Sequence, residues 1–244
     1  PNWNKIIKIA KKNKIKIIED AAESIGAKYK NKLAGSFGDI SLFSLNATKL
    51  IMSGQGGVFC TNNLEYYKKA KLLKNHGIDQ EKTGKYYWST ILGYNYNWTN
   101  FQAALAISQF NKINKLLNYK KWLYNEYKKN LINKSYYKLN EYLPDVSQSY
   151  WITCLIIDPK LKITKEDLIK KIKKYKIDLR PIFYPLSSMP TFYTKKAKYK
   201  KINKNSYELS KYGVCLPSGN NLNANSIKYI CDKIHIVITE HINS

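Results

Sequence analysis

The chain has 244 residues, with 42 Lys and Arg against 17 Asp and Glu, for a formal net charge of +25. Hydrophobic residues make up 44% and aromatic residues 14%, which excludes an intrinsically disordered chain. No apolar run reaches the roughly 18 residues of a membrane-spanning helix, so we expect a cytoplasmic protein without a membrane partner. The length predicts one large domain or two modest ones.

The positive charge comes almost entirely from lysine, since Arg180 is the single arginine. Proteins that read nucleic acids rely on arginine for bidentate contacts with phosphate and guanine, whereas these lysines are spread along the whole chain. We therefore interpret the charge as a solvated surface and expect no nucleic-acid partner. The alternative, a basic nucleic-acid protein, predicts steeply salt-dependent DNA binding.

The four cysteines are widely separated and form no C-x-x-C pair: Cys60, Cys154, Cys215 and Cys231. This spacing indicates neither a zinc knuckle nor a disulfide framework. We expect reduced, mostly buried thiols and no metal site.

The first 75 residues alternate between helical and strand patterns. The predicted elements are a helix around residues 6–10, a buried strand at 14–18, strands at 39–44 and 57–61, and a helix over 64–75. This alternation predicts part of an α/β sheet, in which ligands bind beyond the carboxyl ends of the strands. Asp20 and the segment after Ser44 lie at such ends.

The remaining chain predicts a bridge and a smaller α+β domain. A long, bent helix is predicted over residues 99–131, and a capping box at Thr164 and Asp167 predicts the start of another helix. The other predicted elements are strands at 150–157, 177–179 and 214–217, a proline-stiffened loop at 180–185, and a last helix over 225–238.

Lys49 stands out chemically because it lies between a group of hydroxyl side chains and the glycine-rich segment 53–57. Hydroxyls and backbone N–H groups of this kind suit a phosphate, and the amine of Lys49 would be held near them. Taken alone, a lysine beside a loop is unremarkable in so lysine-rich a chain. Asp20 alone could equally be the cap of a following helix.

The combination of motifs is far more specific. Segments 20–27 (DAAESIGA), 35–39 (GSFGD), 43–49 (FSLNATK) and 53–57 (SGQGG) resemble, in order and spacing, the core of the DegT/DnrJ/EryC1/StrS sugar aminotransferases. The resemblance continues through segments 92–104, 180–185 and 215–219. It implies an α/β, aspartate-aminotransferase-like (fold type I) protein that depends on pyridoxal phosphate. Residues 1–110 would be part of the large cofactor domain, and residues 111–244 a small C-terminal domain with the bridging helix.

The resemblance also implies roles for individual residues at the cofactor. Lys49 would bind pyridoxal phosphate covalently and then move the proton during transamination. Asp20 would pair with the pyridine nitrogen, and Glu23 would lie beside the phenolic oxygen of the ring. Ser44 would bind the phosphate. Asn95 would reach the cofactor phosphate of a neighbouring subunit, which implies a homodimer with a shared active site; its alternative role is that of a left-handed turn residue.

The chain departs from the family pattern in two places. Asn97 stands where the family commonly has arginine, so contacts with substrate phosphate are altered there, and Arg180 becomes a candidate substrate-binding residue. A structural ion pair is the alternative role of Arg180. The family's cofactor domain also begins well before Pro1, so we expect the chain to be a fragment that is inactive and poorly stable by itself.

The function implied by the resemblance is amination of a nucleotide-linked 4-keto-6-deoxy sugar, with glutamate as amino donor. Segment 87–96 and the Arg180 loop resemble the perosamine-forming branch, whose substrate is GDP-4-keto-6-deoxymannose. The alternatives are an aminotransferase for UDP- or dTDP-linked keto sugars and a non-catalytic, truncated remnant.

Overall fold

The computed structural model describes residues 1–131, 135–140 and 143–243, with the backbone alone at 193–197. The chain forms two compact units. Unit 1 consists of Pro1–Leu117 and Tyr142–Trp151, and unit 2 of Asn118–Glu141 and Ile152–Ser244. The boundary falls after Leu117, inside the helix Ile113–Asn130, and not after residue 110 as the sequence predicted. The later segment Tyr142–Trp151, the returning segment, belongs again to unit 1.

The described helices and strands follow one another as a mixed α/β chain. The α-helices are α1 (Trp3–Lys12), α2 (Leu64–Lys74), α3 (Gln80–Thr83), α4 (Asn100–Phe110), α5 (Ile113–Asn130), α6 (Lys165–Ile172), α7 (Lys196–Ile202), α8 (Lys204–Tyr212) and α9 (Ala224–Ile242). The strands are β1 (Ile18–Asp20), β2 (Lys28–Tyr29), β3 (Lys32–Leu33), β4 (Ile40–Ser44), β5 (Gly57–Cys60), β6 (Tyr137–Leu139), β7 (Val146–Ser147), β8 (Cys154–Ile157), β9 (Arg180–Pro181) and β10 (Gly213–Cys215). Short 3₁₀ turns cover Pro159–Leu161, Lys173–Tyr175, Leu186–Ser188 and Pro190–Lys195.

Unit 1 contains two small sheets. In the first, β4 lies between β1, to which it is parallel, and β5, to which it is antiparallel. In the second, β2 pairs with β3 and with β7, which belongs to the returning segment. A small core of Leu45, Ile51 and Ala106 lies beneath the loops that follow β4.

Unit 2 is built on one antiparallel sheet in the order β6-β8-β10-β9. Its core contains the alternate strand residues Leu155 and Ile157 of β8 and Val214 of β10, packed with apolar residues of α6 and α9 such as Leu168 and Ile234. The capping box predicted at the start of α6 is confirmed, because Thr164 and Asp167 bond reciprocally.

Side chains of α5 hold the segment that follows β10. The hydroxyl of Tyr127 donates to the carbonyl oxygen of Pro217 at 2.8 Å, and the hydroxyl of Tyr119 donates to that of Leu222 at 2.8 Å. Between them, the buried ammonium of Lys120 donates to the carbonyl and hydroxyl oxygens of Ser218. Burial lowers the pKa of Lys120 to about 8.

Several sequence predictions need correction. The strand expected at 14–18 begins only at Ile18, because Lys14 adopts a positive φ of 53° at the end of α1; Ile18 is also exposed. The strand expected at 177–179 is wrong, since Ile177 and Leu179 are buried but the ladder with β10 starts at Arg180.

Two further expectations are also revised. The long helix at 99–131 is two helices, α4 and α5, separated by a turn at residues 111–112. The thiols are not mostly buried: Cys231 is buried, whereas Cys60, Cys154 and Cys215 are half-buried.

Across the described residues, none of the helices combines the length and apolarity needed to cross a membrane. The described part of the chain likewise contains no group of three His, Cys, Asp or Glu side chains arranged to hold a metal ion.

Candidate active site

The candidate site begins at the carboxyl ends of β1 and β4. Asp20 ends β1 opposite Leu42 of β4, and Ser44 ends β4 two residues later. Asp20 and Ser44 therefore lie on the same sheet face, at the carboxyl ends of the two strands. The carboxylate of Asp39 accepts the backbone N–H of Ile17 at 2.9 Å, which lowers the pKa of Asp39 and fixes this register.

Asp20 is exposed, and its Oδ1 accepts the backbone N–H of Ala22 at 3.0 Å. This bond orients the carboxylate while the second oxygen can serve a ligand. The Oγ of Ser44 accepts the backbone N–H of Asn46 at 3.3 Å, and its hydroxyl hydrogen can be donated elsewhere. Both side chains are therefore anchored and able to bind a ligand.

Lys49 projects from a tight turn that follows β4. Its backbone N–H donates to the carbonyl oxygen of Asn46 at 2.9 Å, and the side chain of Asn46 accepts the N–H of Thr48 at 3.1 Å. The next two residues, Leu50 and Ile51, are buried and anchor the turn. The lysine backbone is thus held on both sides.

The Lys49 ammonium is only partly accessible. Its Nζ lies 2.9 Å from Oε1 of Glu23, and the Lys49 side chain is 13% exposed. Glu23 belongs to the loop that follows β1, so this ion pair joins the Asp20 loop to the Lys49 turn. The structure thereby brings two sequence-predicted site residues into direct contact.

The returning segment adds residues that sequence reasoning missed. The indole of Trp151 donates from Nε1 to the carbonyl oxygen of Thr48 at 2.8 Å, and its ring lies 4.0 Å beneath Nζ of Lys49. The buried hydroxyl of Ser149 donates to the carbonyl oxygen of Glu23 at 3.1 Å. No sequence motif marks these residues, because their contacts join distant segments of the chain.

The glycine-rich segment is fixed against the same turn. The backbone N–H of Ser53 donates to the carbonyl oxygen of Leu45, and that of Leu45 to the carbonyl oxygen of Gly56. Gly56 has a φ of 118°, and a side chain there would collide with the ring of Trp98. This position therefore requires glycine.

Glu19 also supports the site, although the sequence did not indicate this role. It is buried on the sheet face opposite Asp20, and its carboxylate accepts the backbone N–H groups of Gly35 at 2.6 Å and Phe37 at 3.0 Å. Glu19 thus fixes the turn of the GSFG motif, because two backbone N–H groups of the turn hydrogen-bond to its buried carboxylate.

Asn95 and Asn97 lie on an exposed strand-like segment of unit 1. Asn95 forms an antiparallel bridge opposite Asn75, so the left-handed turn considered for it is not what the structure contains. The amide of Asn97 accepts from Nζ of Lys74 at 2.7 Å and donates to the side chain of Asn75 at 2.8 Å. Asn97 is therefore engaged within its own unit.

Arg180 belongs to unit 2. It is an exposed residue of the short strand β9, and its register partner in β10 is Cys215. No ion pair of Arg180 occurs among the described residues, which does not support the structural ion pair considered for it.

The residues of unit 1 fit pyridoxal phosphate, the cofactor that the family resemblance implies. An amine lies 2.9 Å from a carboxylate, and two anchored oxygen ligands, Asp20 and Ser44, lie at the carboxyl ends of the neighbouring strands β1 and β4. Such a donor set can hold a basic ring nitrogen, a phosphate and a carbonyl carbon, which are the three groups of this cofactor.

Comparison with known proteins identifies the family. The model of the DegT/DnrJ/EryC1/StrS aminotransferase family matches residues 2–235. A GDP-perosamine synthase from Escherichia coli O157:H7 is 32% identical over 234 residues, which are 96% of this chain and 61% of that protein. A UDP-4-amino-4,6-dideoxy-N-acetyl-beta-L-altrosamine transaminase from Campylobacter jejuni is 27% identical, over 96% of this chain and 62% of that protein.

The fold is also found in solved structures. Helicobacter pylori PseC, an aminotransferase involved in the biosynthesis of pseudoaminic acid, superimposes with a TM-score of 0.86 at 21% identity, over 98% of this chain and 64% of that one. The fold-type-I expectation is thereby confirmed. The chain spans about three fifths of the length of the curated relatives it matches. On the family match over residues 2–235, the chain belongs to the DegT/DnrJ/EryC1/StrS aminotransferase family.

Proposed function

We propose that the protein is a pyridoxal phosphate-dependent aminotransferase that aminates a nucleotide-linked 4-keto-6-deoxy sugar, with glutamate as amino donor. The observation that carries the proposal is the position of Lys49, whose amine lies between the Glu23 carboxylate and the Trp151 ring. A partly covered amine that is held by a carboxylate is what covalent cofactor chemistry needs. The family match over residues 2–235 supports the same reaction class.

Bound pyridoxal phosphate supplies an electron sink, which lets a proton leave the carbon that carries the amino group. Nζ of Lys49 would hold the cofactor and would also be the base that takes and returns the proton during transamination. The carboxylate of Glu23, whose Oε1 lies 2.9 Å from Nζ of Lys49, would face the phenolic oxygen of the ring and would share a proton with it, because two anionic oxygens there would repel.

We assign Asp20 and Ser44 different roles at the cofactor. The second carboxylate oxygen of Asp20 would accept the N–H of the pyridine ring and would keep that nitrogen protonated, which matters most when charge develops during proton removal. Ser44 would donate its hydroxyl hydrogen to the phosphate at every stage, so its contribution would be uniform binding. These roles make different kinetic predictions.

Asp20→Asn should lower kcat by about a hundredfold while cofactor still binds, because a preorganised electrostatic partner is lost. Ser44→Ala should mainly weaken cofactor affinity, by roughly 1–3 kcal/mol, and should be rescued by excess cofactor. Steady-state turnover of both variants titrated with pyridoxal phosphate separates the two. Full rescue of Asp20→Asn, without rescue of Ser44→Ala, would show that the roles are misassigned.

We propose GDP-4-keto-6-deoxymannose as the sugar substrate, with Arg180 and Asn97 as substrate-binding residues. The identity of 32% to a GDP-perosamine synthase supports this choice. A UDP-linked sugar is the second candidate, supported by the Campylobacter relative at 27% identity. Incubation of the full-length protein with glutamate and each GDP-, UDP- or dTDP-linked keto sugar, followed by mass spectrometry of the aminated product, distinguishes them.

We also propose a homodimer in which Asn95 reaches the cofactor phosphate of the partner subunit. The support is a run of exposed apolar side chains around Asn95, in which Tyr87 is 92%, Leu92 83% and Phe101 79% exposed. Apolar patches of this kind mark interaction surfaces. Mixing an inactive Lys49→Ala protein with an inactive Asn95→Ala protein should restore part of the activity, because hybrid dimers contain one intact site.

The alternative of a non-catalytic remnant makes a simple counter-prediction. A remnant would yield no aminated product with any of the nucleotide sugars, although the folded protein would still be recovered. Retention of Lys49, Asp20 and Ser44 on one connected set of loops favours the enzyme.

A further inference from the structure

Two of the four cysteines face each other across the sheet of unit 2. Cys154 of β8 and Cys215 of β10 are direct register partners in an antiparallel pair. They are separated along the sequence, so nothing in their spacing indicated this pairing. Both are half-buried, which leaves access for a small oxidant.

The hydrogen bonds show which kind of register pair this is. The backbone N–H and carbonyl of Cys154 are both directed to Asn140 on the β6 side, at 2.9 and 3.0 Å. The neighbouring ladder bond to β10 runs from the N–H of Leu216 to the carbonyl oxygen of Thr153 at 2.9 Å. Cys154 and Cys215 therefore form a non-hydrogen-bonded pair, the type in which opposite side chains approach most closely.

The two side chains also share one face of the sheet. Leu155 and Ile157 of β8 and Val214 of β10 point into the core, so the alternate positions Cys154 and Cys215 point to the other face. In non-hydrogen-bonded pairs the Cα atoms are about 4.5 Å apart, which lies within the range that a disulfide can span.

We propose that Cys154 and Cys215 form a reversible, intramolecular disulfide when the protein meets a peroxide. The sulfur of one cysteine attacks hydrogen peroxide, breaking the O–O bond, forming a sulfenic acid and releasing water. The second thiol then attacks the sulfenic sulfur, so that the S–S bond forms, the S–O bond breaks and a second water leaves. In total the two thiols lose two electrons and two protons to one peroxide.

Opposite Cβ atoms lie about 4.5–5.5 Å apart in antiparallel pairs and closer in non-hydrogen-bonded ones, which approaches the separation of about 3.8 Å in a disulfide. The register partner of Cys215 on the other side is Arg180, so the disulfide would tie β8 to the strand beside that arginine.

The other two cysteines provide internal controls. Burial raises the pKa of Cys231 to about 12, and burial also raises the pKa of Cys60, so their thiols are poorly suited to attack on peroxide. Neither is a register partner of another cysteine in the described sheets.

The test is to treat the purified full-length protein with hydrogen peroxide and to map the peptides by mass spectrometry without reduction. We expect a crosslinked peptide pair containing Cys154 and Cys215, with a loss of about 2 Da that dithiothreitol reverses. Cys60→Ser should retain the crosslink and Cys215→Ser should abolish it. On a denaturing gel without reductant, the oxidised protein should run as a single chain, because the crosslink lies within one chain.

Three outcomes would overturn the proposal. These are oxidation of Cys154 and Cys215 to sulfinic or sulfonic acids with no crosslink, a crosslink of either one to Cys60 or Cys231, and a crosslink between two chains. The decisive measurement uses the wild-type protein, so a Cys215→Ser variant that fails to fold does not affect the test.

Discussion

The two units place their apolar side chains differently. In unit 2, strand residues such as Leu155 and Val214 pack with α9 residues such as Ile234, all of them fully buried. In unit 1, Ile18, Leu42 and Phe59 share the sheet face that carries Asp20, and all three are exposed. The difference teaches that unit 2 encloses a large core of its own, whereas unit 1 carries the candidate reactive groups on short strands and loops.

The largest expected effect comes from removing the Lys49 amine, which tests whether unit 1 carries the reactive groups. Lys49→Ala should lower turnover by about a thousandfold or more, because both the cofactor bond and the proton-transferring base are lost. Thermal unfolding should hardly change. In the unmodified protein, borohydride should fix the cofactor on the peptide that contains Lys49.

The matched control is Lys68→Ala, an exposed lysine on α2 that should retain full activity. If borohydride labels another lysine, or if Lys49→Ala turns over at the normal rate, the reactive amine lies elsewhere.

A matched pair of isoleucines tests the stability half. Ile234→Ala in α9 should lower the free energy of unfolding by about 2–5 kcal/mol, because a fully buried side chain leaves a cavity. Ile18→Ala in β1, at a position that is 66% exposed, should cost less than about 1 kcal/mol. Urea unfolding followed by circular dichroism measures both. An equal loss at Ile18 would show that its sheet face is covered in the assembled protein.

A pH titration of the free energy of unfolding tests the buried lysine of unit 2. Lys120 has a pKa of about 8 when folded, below its ordinary value of 10.5, because it is buried. Between these pH values the unfolded state binds the extra proton, so stability rises with pH. Relative to Lys120→Met, the free energy of unfolding should therefore rise by up to about 3 kcal/mol from pH 8 to 10.5.

The neighbouring, exposed Lys121 supplies the control for this titration. Lys121→Met should leave the pH dependence of unfolding unchanged. The same slope in the Lys120→Met protein as in the unmodified protein would mean that Lys120 is not the group responsible.

The smallest expected effect concerns Trp151. Trp151→Leu removes the ring beneath the Lys49 ammonium, and such contacts contribute about 0.5–2 kcal/mol, so kcat/KM should fall between about twofold and thirtyfold. Trp151→Phe keeps an aromatic face and should recover part of this loss. Equal activity in the Leu and Phe variants would show that the ring does not act on Lys49.

Much of the architecture could be predicted because it depends on local patterns. The strands β4 and β5, the helices α2 and α9, and the capping box of α6 lie close to where periodicity and turn residues indicated. The order of motifs also led to the family that the match over residues 2–235 establishes. The roles of Lys49, Asp20 and Ser44 at a cofactor remain predictions.

By itself, the sequence determined the family, the α/β alternation and the set of candidate side chains, since these follow from residue types at short spacing. Only the tertiary structure decided that Trp151 lies against Lys49 and that Cys154 faces Cys215. The physical reason is that these contacts join segments far apart in the chain, such as Trp151 and Thr48 at a separation of 103 positions. Chain folding and strand register bring such segments together, and neither leaves a periodic signal in the residues themselves.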